Sequence, residues 1–269
     1  MLFTPLDGTW SPPRAAARTR PCSPHLSLRR SPAGKLEGFS GNRGEVVRAM
    51  RVLGAVTIGQ SPRDDITSEL RPLLGGGVTV VEAGALDGLS REEVTTLAPA
   101  PGEAVLVTRL RDGSSVRVAH RRILPRVARQ VEALARQVDA VLLLCTGTFP
   151  PFQVACPVLY PDRLLLNFVR GVASGLHLGV VTPDPGQVAE QQGRWSAVAG
   201  RVTVRPASPY GDVNRLTEAA HALASRKVDV IVLDSLGYNL AVKQKFRDLA
   251  GVPVILPRTL LARAAAELL

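Results

Sequence analysis

Cysteine and histidine are scarce in this sequence, and their scarcity narrows the field. Three Cys (Cys22, Cys145 and Cys156) and four scattered His stand among 269 residues. Three cysteines do not make a disulfide framework, and neither a CxxC pair nor a Cys/His spacing suggests zinc. No metal site is therefore expected. Long hydrophobic runs are also lacking: none approaches the roughly 18 residues needed to span a bilayer, and no apolar segment follows a basic start as in a secretory signal. The simple expectation is a cytoplasmic protein with no membrane partner.

What is present is a globular composition, 45% hydrophobic and 21% charged with 24 Gly and 21 Pro. Such a chain suits one large α/β domain or two lobes. The net charge of +10 invites a nucleic-acid partner, but half of it falls in residues 1–49, where eight Lys and Arg face Asp7, Glu37 and Glu45. The rest is close to balanced and Arg-rich, so the charge is weak ground for nucleic-acid binding. Residues 1–49 are rich in Pro, Ser and Gly and read as a disordered basic arm, a transit peptide, or an upstream extension mis-assigned to the protein. The third reading is favoured. Met50 opens the strand "MRVLGAVTIGQ", and Gly44-Glu45-Val46 can be encoded as GGG-GAG-GTG, which contains a bacterial ribosome-binding sequence.

From Met50 strands and helices alternate. Strands are expected at Val52–Ile58, Val78–Glu82, Ala140–Leu144, Leu178–Thr182, Val202–Arg205, Val228–Asp234 and Val252–Leu256. Helices are expected over Pro62–Leu74, Ile123–Gln137, Arg163–Ser174, Gly186–Val198, Val213–Arg226, Leu240–Ala250 and from Thr259 onward. "AVLVTRLRDGSSVRVAH" reads as a hairpin turning at Asp112-Gly113. Continuous Val/Ile/Leu strands alternating with helices predict parallel sheets covered on both faces.

Two copies of one plan emerge. "VLGAVTIGQSP" pairs with "HLGVVTPDPGQ", and "VDAVLLLCTG" with "VDVIVLDSLG". Gly54 then matches Gly179, Thr57 matches Thr182, and Cys145 matches Ser235; the hairpin is an insert in the first copy. The expected boundaries are 50–158 for the first lobe, with return of the C-terminal helix 258–269, and 159–257 for the second. Strand C-termini of such paired lobes meet at a cleft where ligands bind. Cys145, otherwise read as a small buried hydrophobe, would face Ser235 across it.

"AVTIGQSPRDD" (Ala55–Asp65), "EAGALDGLSREEV" (Glu82–Val94), "LVTRLRDG" (Leu106–Gly113), "LLCTGTF", "ASPYGD" (Ala207–Asp212) and "VLDSLGY" (Val232–Tyr238) resemble the AroM family. AroM proteins in turn resemble the aspartate/glutamate/hydantoin racemase superfamily, which includes arylmalonate decarboxylase and maleate isomerase. That resemblance implies two pseudo-symmetric Rossmann-like lobes, cofactor-free chemistry and a Cys at a strand end in each lobe. In the racemases two opposed thiols remove and return a proton beside a carboxylate. Here Cys145 holds the first position and Ser235 the second. A thiol near its usual pKa of about 8.5 is partly ionised at neutrality, whereas a serine needs an adjacent base. The departure from two cysteines points away from symmetric racemisation and toward one-sided isomerase, decarboxylase or epimerase chemistry on a small carboxylate-bearing molecule. A non-catalytic small-acid binder or regulator is the alternative, and a homodimer is left open.

Further cleft candidates follow from position. Thr57, Gly59, Gln60 and Ser61 leave the first strand, where N–H groups and hydroxyls can hold a carboxylate. Arg63 is the nearest cation, read equally as a surface helix residue. Thr146-Gly147-Thr148 and Gly237-Tyr238 supply matching turns, and Thr182 mirrors Thr57. Tyr210 is read as a pocket cap or a surface turn residue. Asp65 and Asp234 are the nearest acids, the latter read as a helix cap or a partner for an Arg. Cys156 is taken as a bystander.

Overall fold

The computed structural model describes residues 51–269, so the expectations for residues 1–49 lie outside the described part. The first half runs β1 (Arg51–Thr57), α1 (Asp64–Leu74), β2 (Val78–Gly84), α2 (Arg91–Thr95), the hairpin β3 (Val105–Arg109) and β4 (Ser115–Ala119), α3 (His120–Leu134), β5 (Ala140–Leu144) and β6 (Val158–Leu159). The second half runs α4 (Pro161–Ala173), β7 (His177–Thr182), a 3-10 turn (Pro185–Gln187), α5 (Val188–Ser196), β8 (Arg201–Pro206), α6 (Val213–Ser225), β9 (Val230–Leu233), α7 (Leu240–Ala250), β10 (Val254–Ile255) and α8 (Pro257–Ala266).

The strands form two four-stranded parallel sheets, ordered β2-β1-β5-β6 and β8-β7-β9-β10. The second order repeats the first with β7 in the place of β1. Registers repeat as well: Gly54 lies beside Val141 as Gly179 lies beside Ile231. Even the strand entries match, because the Asp139 carboxylate accepts the Val52 N–H at 2.7 Å and the Asp229 carboxylate accepts the His177 N–H at 2.7 Å. The α/β class with parallel sheets in two lobes is thus present, and the hairpin stands apart as its own two-stranded antiparallel unit.

Alternation along the strands sends side chains to two faces of each sheet. Val141, Leu143 and Cys145 join a core under α3 and the hairpin, while Ala140, Leu142 and Leu144 join one under α1 and α8. In the other sheet Ile231 and Leu233 face α6, and Val230 and Val232 face α4 and Trp195. Each fully buried Leu, Ile or Val in these cores contributes about 1.5–3 kcal/mol. Helix α8, which follows β10, packs on the first sheet through Leu261, Ala262 and Ala265; α4, which follows β6, packs on the second through Leu165, Val169 and Ala173.

Several bounds differ from those read in the sequence. The helix expected over Gly186–Val198 opens as a 3-10 turn, with the Asp184 carboxylate accepting the Gly186 N–H. Helix α8 starts at Pro257, whose missing N–H suits a first helical position. Short α2 was not expected; Ser90 and Glu93 close a capping box around its start.

Candidate active site

The strand ends of both lobes open onto one narrow cavity of about 40 Å³. From the first lobe it is lined by Ile58, Arg63, Leu144, Cys145, Thr146 and Gly147. Asp234, Ser235, Leu236 and Gly237 line it from the second, with Tyr210. Two further walls come from the start of α5 (Gln187, Glu190, Gln191) and from hairpin strand β3 (Val105–Thr108). The two turns touch directly: the Thr146 hydroxyl donates to the Asp234 carbonyl at 3.3 Å.

Equivalent positions carry equivalent geometry. Cys145 Sγ accepts the Gly147 N–H at 3.3 Å, and Ser235 Oγ accepts the Gly237 N–H at 3.0 Å. Burial, with the nearby Asp234 and Asp162 carboxylates, pushes the Cys145 thiol up to about 12. This corrects the expectation of a partly ionised thiol: a desolvated thiolate beside two carboxylates is disfavoured, and Arg194 offsets only part of that. Cys145 is therefore a proton donor as it stands.

Arg63 is buried, 3% exposed, rather than on the surface. Its Nε and Nη2 donate to Asp65 at 2.8 and 2.9 Å, Nη2 also to the Tyr210 hydroxyl at 3.0 Å, and Nη1 to Thr57 Oγ1 at 3.2 Å. A guanidinium has five N–H donors, so one on Nη1 has no partner among the described residues. Desolvation opposes the charge, but the bonds to Asp65 and Tyr210 hold Arg63 protonated, its pKa raised. Its carboxylate partner Asp65 is correspondingly lowered by Arg63 against its own desolvation.

Of the expected site residues, Cys145, Ser235, Arg63, Thr146, Gly147, Gly237 and Tyr210 line the cavity. Thr57 and Thr182 stand one step behind it, Thr57 holding Arg63 and Thr182 donating to Gln187 Oε1 at 2.7 Å. The others lie outside the lining. Gly59 is covered by the hairpin, since a Cβ there would sit 2.4 Å from the Arg109 carbonyl and from Thr108 Oγ1. Gln60 binds the Leu86 carbonyl and the Arg111 N–H, and Ser61 donates to Asp87. Thr148 is exposed, its carbonyl bonded to His120, and the Tyr238 hydroxyl is spent in the core on the Ala207 carbonyl.

Three residues that sequence reasoning left out matter here. Gln187 lines the cavity, and its amide donates to the Val105 carbonyl at 2.9 Å, tying the hairpin to the second lobe. Arg194 donates to the Thr146 carbonyl at 3.1 Å and pairs with Asp234 at 3.3 Å. Arg258 donates to the Leu236 and Gly237 carbonyls at 2.7 and 3.0 Å and pairs with Glu69. Carrying the internal repeat one helix further would have matched Arg194 with Glu69.

The family described as AroM protein matches residues 53–269. The chain belongs to the AroM family. No curated protein matches its sequence. Among solved structures, this AroM-family chain is similar to a maleate cis-trans isomerase from Nocardia farcinica (TM-score 0.54, 15% identity, 81% of this chain and 92% of that one). It is likewise similar to an allantoin racemase from Klebsiella pneumoniae (0.53, 15%, 81% and 87%) and to an arylmalonate decarboxylase (0.51, 15%, 80% and 92%). At these identities the likeness is one of fold. Among the described residues no group of three or more His, Cys, Asp or Glu could hold a metal ion, and no helix is long and apolar enough to cross a membrane.

Proposed function

We propose that this AroM-family chain is a cofactor-independent enzyme that moves a proton at the carbon α to the carboxylate of a small organic or amino acid. The observation that carries the reading is the convergence of Cys145, Ser235 and the buried Arg63 on one cavity between two equivalent sheets. Neighbours in fold named as a racemase, an isomerase and a decarboxylase agree with it.

The uncommitted N–H of Arg63 and the Tyr210 hydroxyl hold the carboxylate, while Thr57 and Asp65 fix the guanidinium. Cys145, neutral below about 12, acts as the acid. Its S–H bond breaks as a C–H bond forms on the carbanionic carbon, and the thiolate left behind regains a proton from water. The electron pair on that carbon is the one left by a departing CO2, so the substrate of this step carries a second carboxyl on its α carbon. Ser235 Oγ, already accepting from Gly237, turns its own O–H toward the developing enediolate. The chemistry is one-sided because the second turn has no thiol. Ser235 and the un-ionised Cys145 also favour a second reading, a binder of small acids that does no chemistry.

Incubation with amino, hydroxy and malonic acids in deuterated water separates the two. Deuterium at the α carbon with the wild type, and none above background with Cys145→Ser, is the expected result. Binding without exchange for every acid tried would favour the binder.

A further inference from the structure

The cavity is closed. A volume of about 40 Å³ admits roughly three waters, at about 10–15 Å³ each, and Cys145 is only 9% exposed. A small acid enters only if a wall moves, and the walls are held unequally. At the strand ends the buried Arg258 spans both lobes. It donates to the Asp65 carbonyl of the first at 2.6 Å and to the Leu236 and Gly237 carbonyls of the second at 2.7 and 3.0 Å.

The hairpin wall is different. Both its ends are anchored to the first lobe, where the Ala119 N–H donates to the Leu97 carbonyl at 2.8 Å and the His120 N–H to the Ala104 carbonyl at 3.0 Å. Its turn is held there as well: the Arg111 side chain donates to the Ser61 carbonyl at 2.6 and 2.9 Å, and its backbone N–H to Gln60 Oε1 at 2.9 Å. Toward the second lobe the hairpin meets the turn that leaves β7. Arg117 Nε pairs with Asp184 Oδ2 at 2.8 Å, and the Gln187 amide donates to the Val105 carbonyl at 2.9 Å. Thr182 orients that amide by donating to its Oε1 at 2.7 Å. The Arg117 side chain is 55% exposed, so its ion pair contributes little, and one neutral hydrogen bond contributes modestly. Immediately outside this seam lies an open groove of about 610 Å³, lined among others by Gly102, Val105, Arg117, Gly186 and Glu190. Val105 and Glu190 also line the cavity, so groove and cavity share a wall at the seam.

We propose that the hairpin is a lid, hinged on the first lobe and latched to the second by the Arg117–Asp184 and Gln187–Val105 contacts, and that ligands reach the cavity from this groove. An anion entering there meets Arg117 and competes with Asp184 for it, so an arriving acid itself loosens the latch. Thr182 then acts on the latch rather than on the ligand. The proposal rests on the reading of the cavity as a ligand site, not on the chemistry assigned to Cys145.

The test is the rate at which iodoacetamide alkylates Cys145 in the full chain at about pH 10, followed by peptide mass spectrometry with Cys156 as internal reference. Gln187→Met keeps the bulk and loses the donor; it is expected to quicken the reaction about fivefold. Arg117→Met is expected to quicken it about twofold, and the two together about tenfold. The Cys156 rate stays unchanged in all three. Opening a lid exposes little surface, so the wild-type rate at Cys145 should hardly respond to low urea. Unchanged rates at Cys145 in every variant would overturn the lid. So would a wild-type rate that climbs with urea as steeply as global unfolding, because Cys145 would then be reached through unfolding. If the double variant does not fold, the single ones decide. Quickened alkylation without α-proton exchange on any acid would keep the lid and remove the proton-transfer reading; exchange with unaltered alkylation would do the reverse.

Discussion

The turn after β5 and the turn after β9 share a backbone plan and differ in chemistry. Each begins with a side chain that accepts the N–H two residues on, and each is held through carbonyl oxygen by an arginine, half-buried Arg194 on Thr146 and buried Arg258 on Leu236 and Gly237. The coverings differ. Cys145 lies in a core with Leu106 of the hairpin, whereas the Ser235 turn lies under Tyr210, close enough that a Cβ on Gly237 would stand 2.6 Å from its hydroxyl. The preceding residue differs too: apolar Leu144 in one turn, Asp234 with an unmet oxygen in the other. A repeated frame fixes where the groups stand, and the proposed roles of Cys145 as acid and Ser235 as hydroxyl donor rest on the unlike residues at matched places.

The comparison breaks most severely at the arginines. Arg258→Ala removes donors to Leu236, Gly237 and Asp65 and leaves Glu69 unpaired. The expected loss is about 3–5 kcal/mol in denaturant unfolding. A loss below about 1 kcal/mol would show that the Ser235 turn does not depend on it.

Next in size is a pH effect carried in the first turn by Cys145, beside the alkaline limb that buried Tyr238 adds in the second. Cys145 is held up to about 12 in the folded chain, against about 8.5 for a free thiol. Between these values the unfolded chain loses a proton that the folded chain keeps. The contribution is therefore full below about 8.5 and falls as pH rises toward about 12, by roughly 1.4 kcal/mol per unit. Unfolding measured against pH should show this limb in the wild type and a flatter one in Cys145→Ser. Equal slopes would place the titration elsewhere.

A smaller effect is expected at the hairpin, which covers one turn and not the other. Gly59→Ala forces a Cβ onto the Arg109 carbonyl and Thr108 Oγ1, at a cost of roughly 1–3 kcal/mol. Lifting the hairpin exposes Cys145, so its alkylation should quicken while Cys156 is unchanged; an unaltered rate at Cys145 would show that the hairpin does not limit access.

Much of this frame was legible in the sequence because it repeats. "VDAVLLLCTG" and "VDVIVLDSLG" place Cys145 and Ser235 by simple register, and both sheets carry that register. The cavity's other groups were partly hidden. Thr57 and Arg63 could be named from position alone, but Gly59 and Ser61 face the hairpin and Asp87, contacts made by segments distant in the chain. Arg194 and Arg258 sit within ordinary amphipathic helices, and nothing local distinguishes a buried clamp from a solvated side chain. The ionisation of Cys145 was misjudged for the same reason, because the burial that raises it comes from packing by distant segments, and the carboxylates that add to it follow β9 and sit in α4.

Whether the two turns share one cleft is tested most directly by placing a thiol on each. Ser235→Cys, treated at about pH 10 with short bifunctional thiol reagents and mapped by peptide mass spectrometry, should give a covalent bridge between positions 145 and 235. Single alkylation at both positions, with no bridge from any short reagent, would contradict the shared cleft and the proton-transfer chemistry built on it.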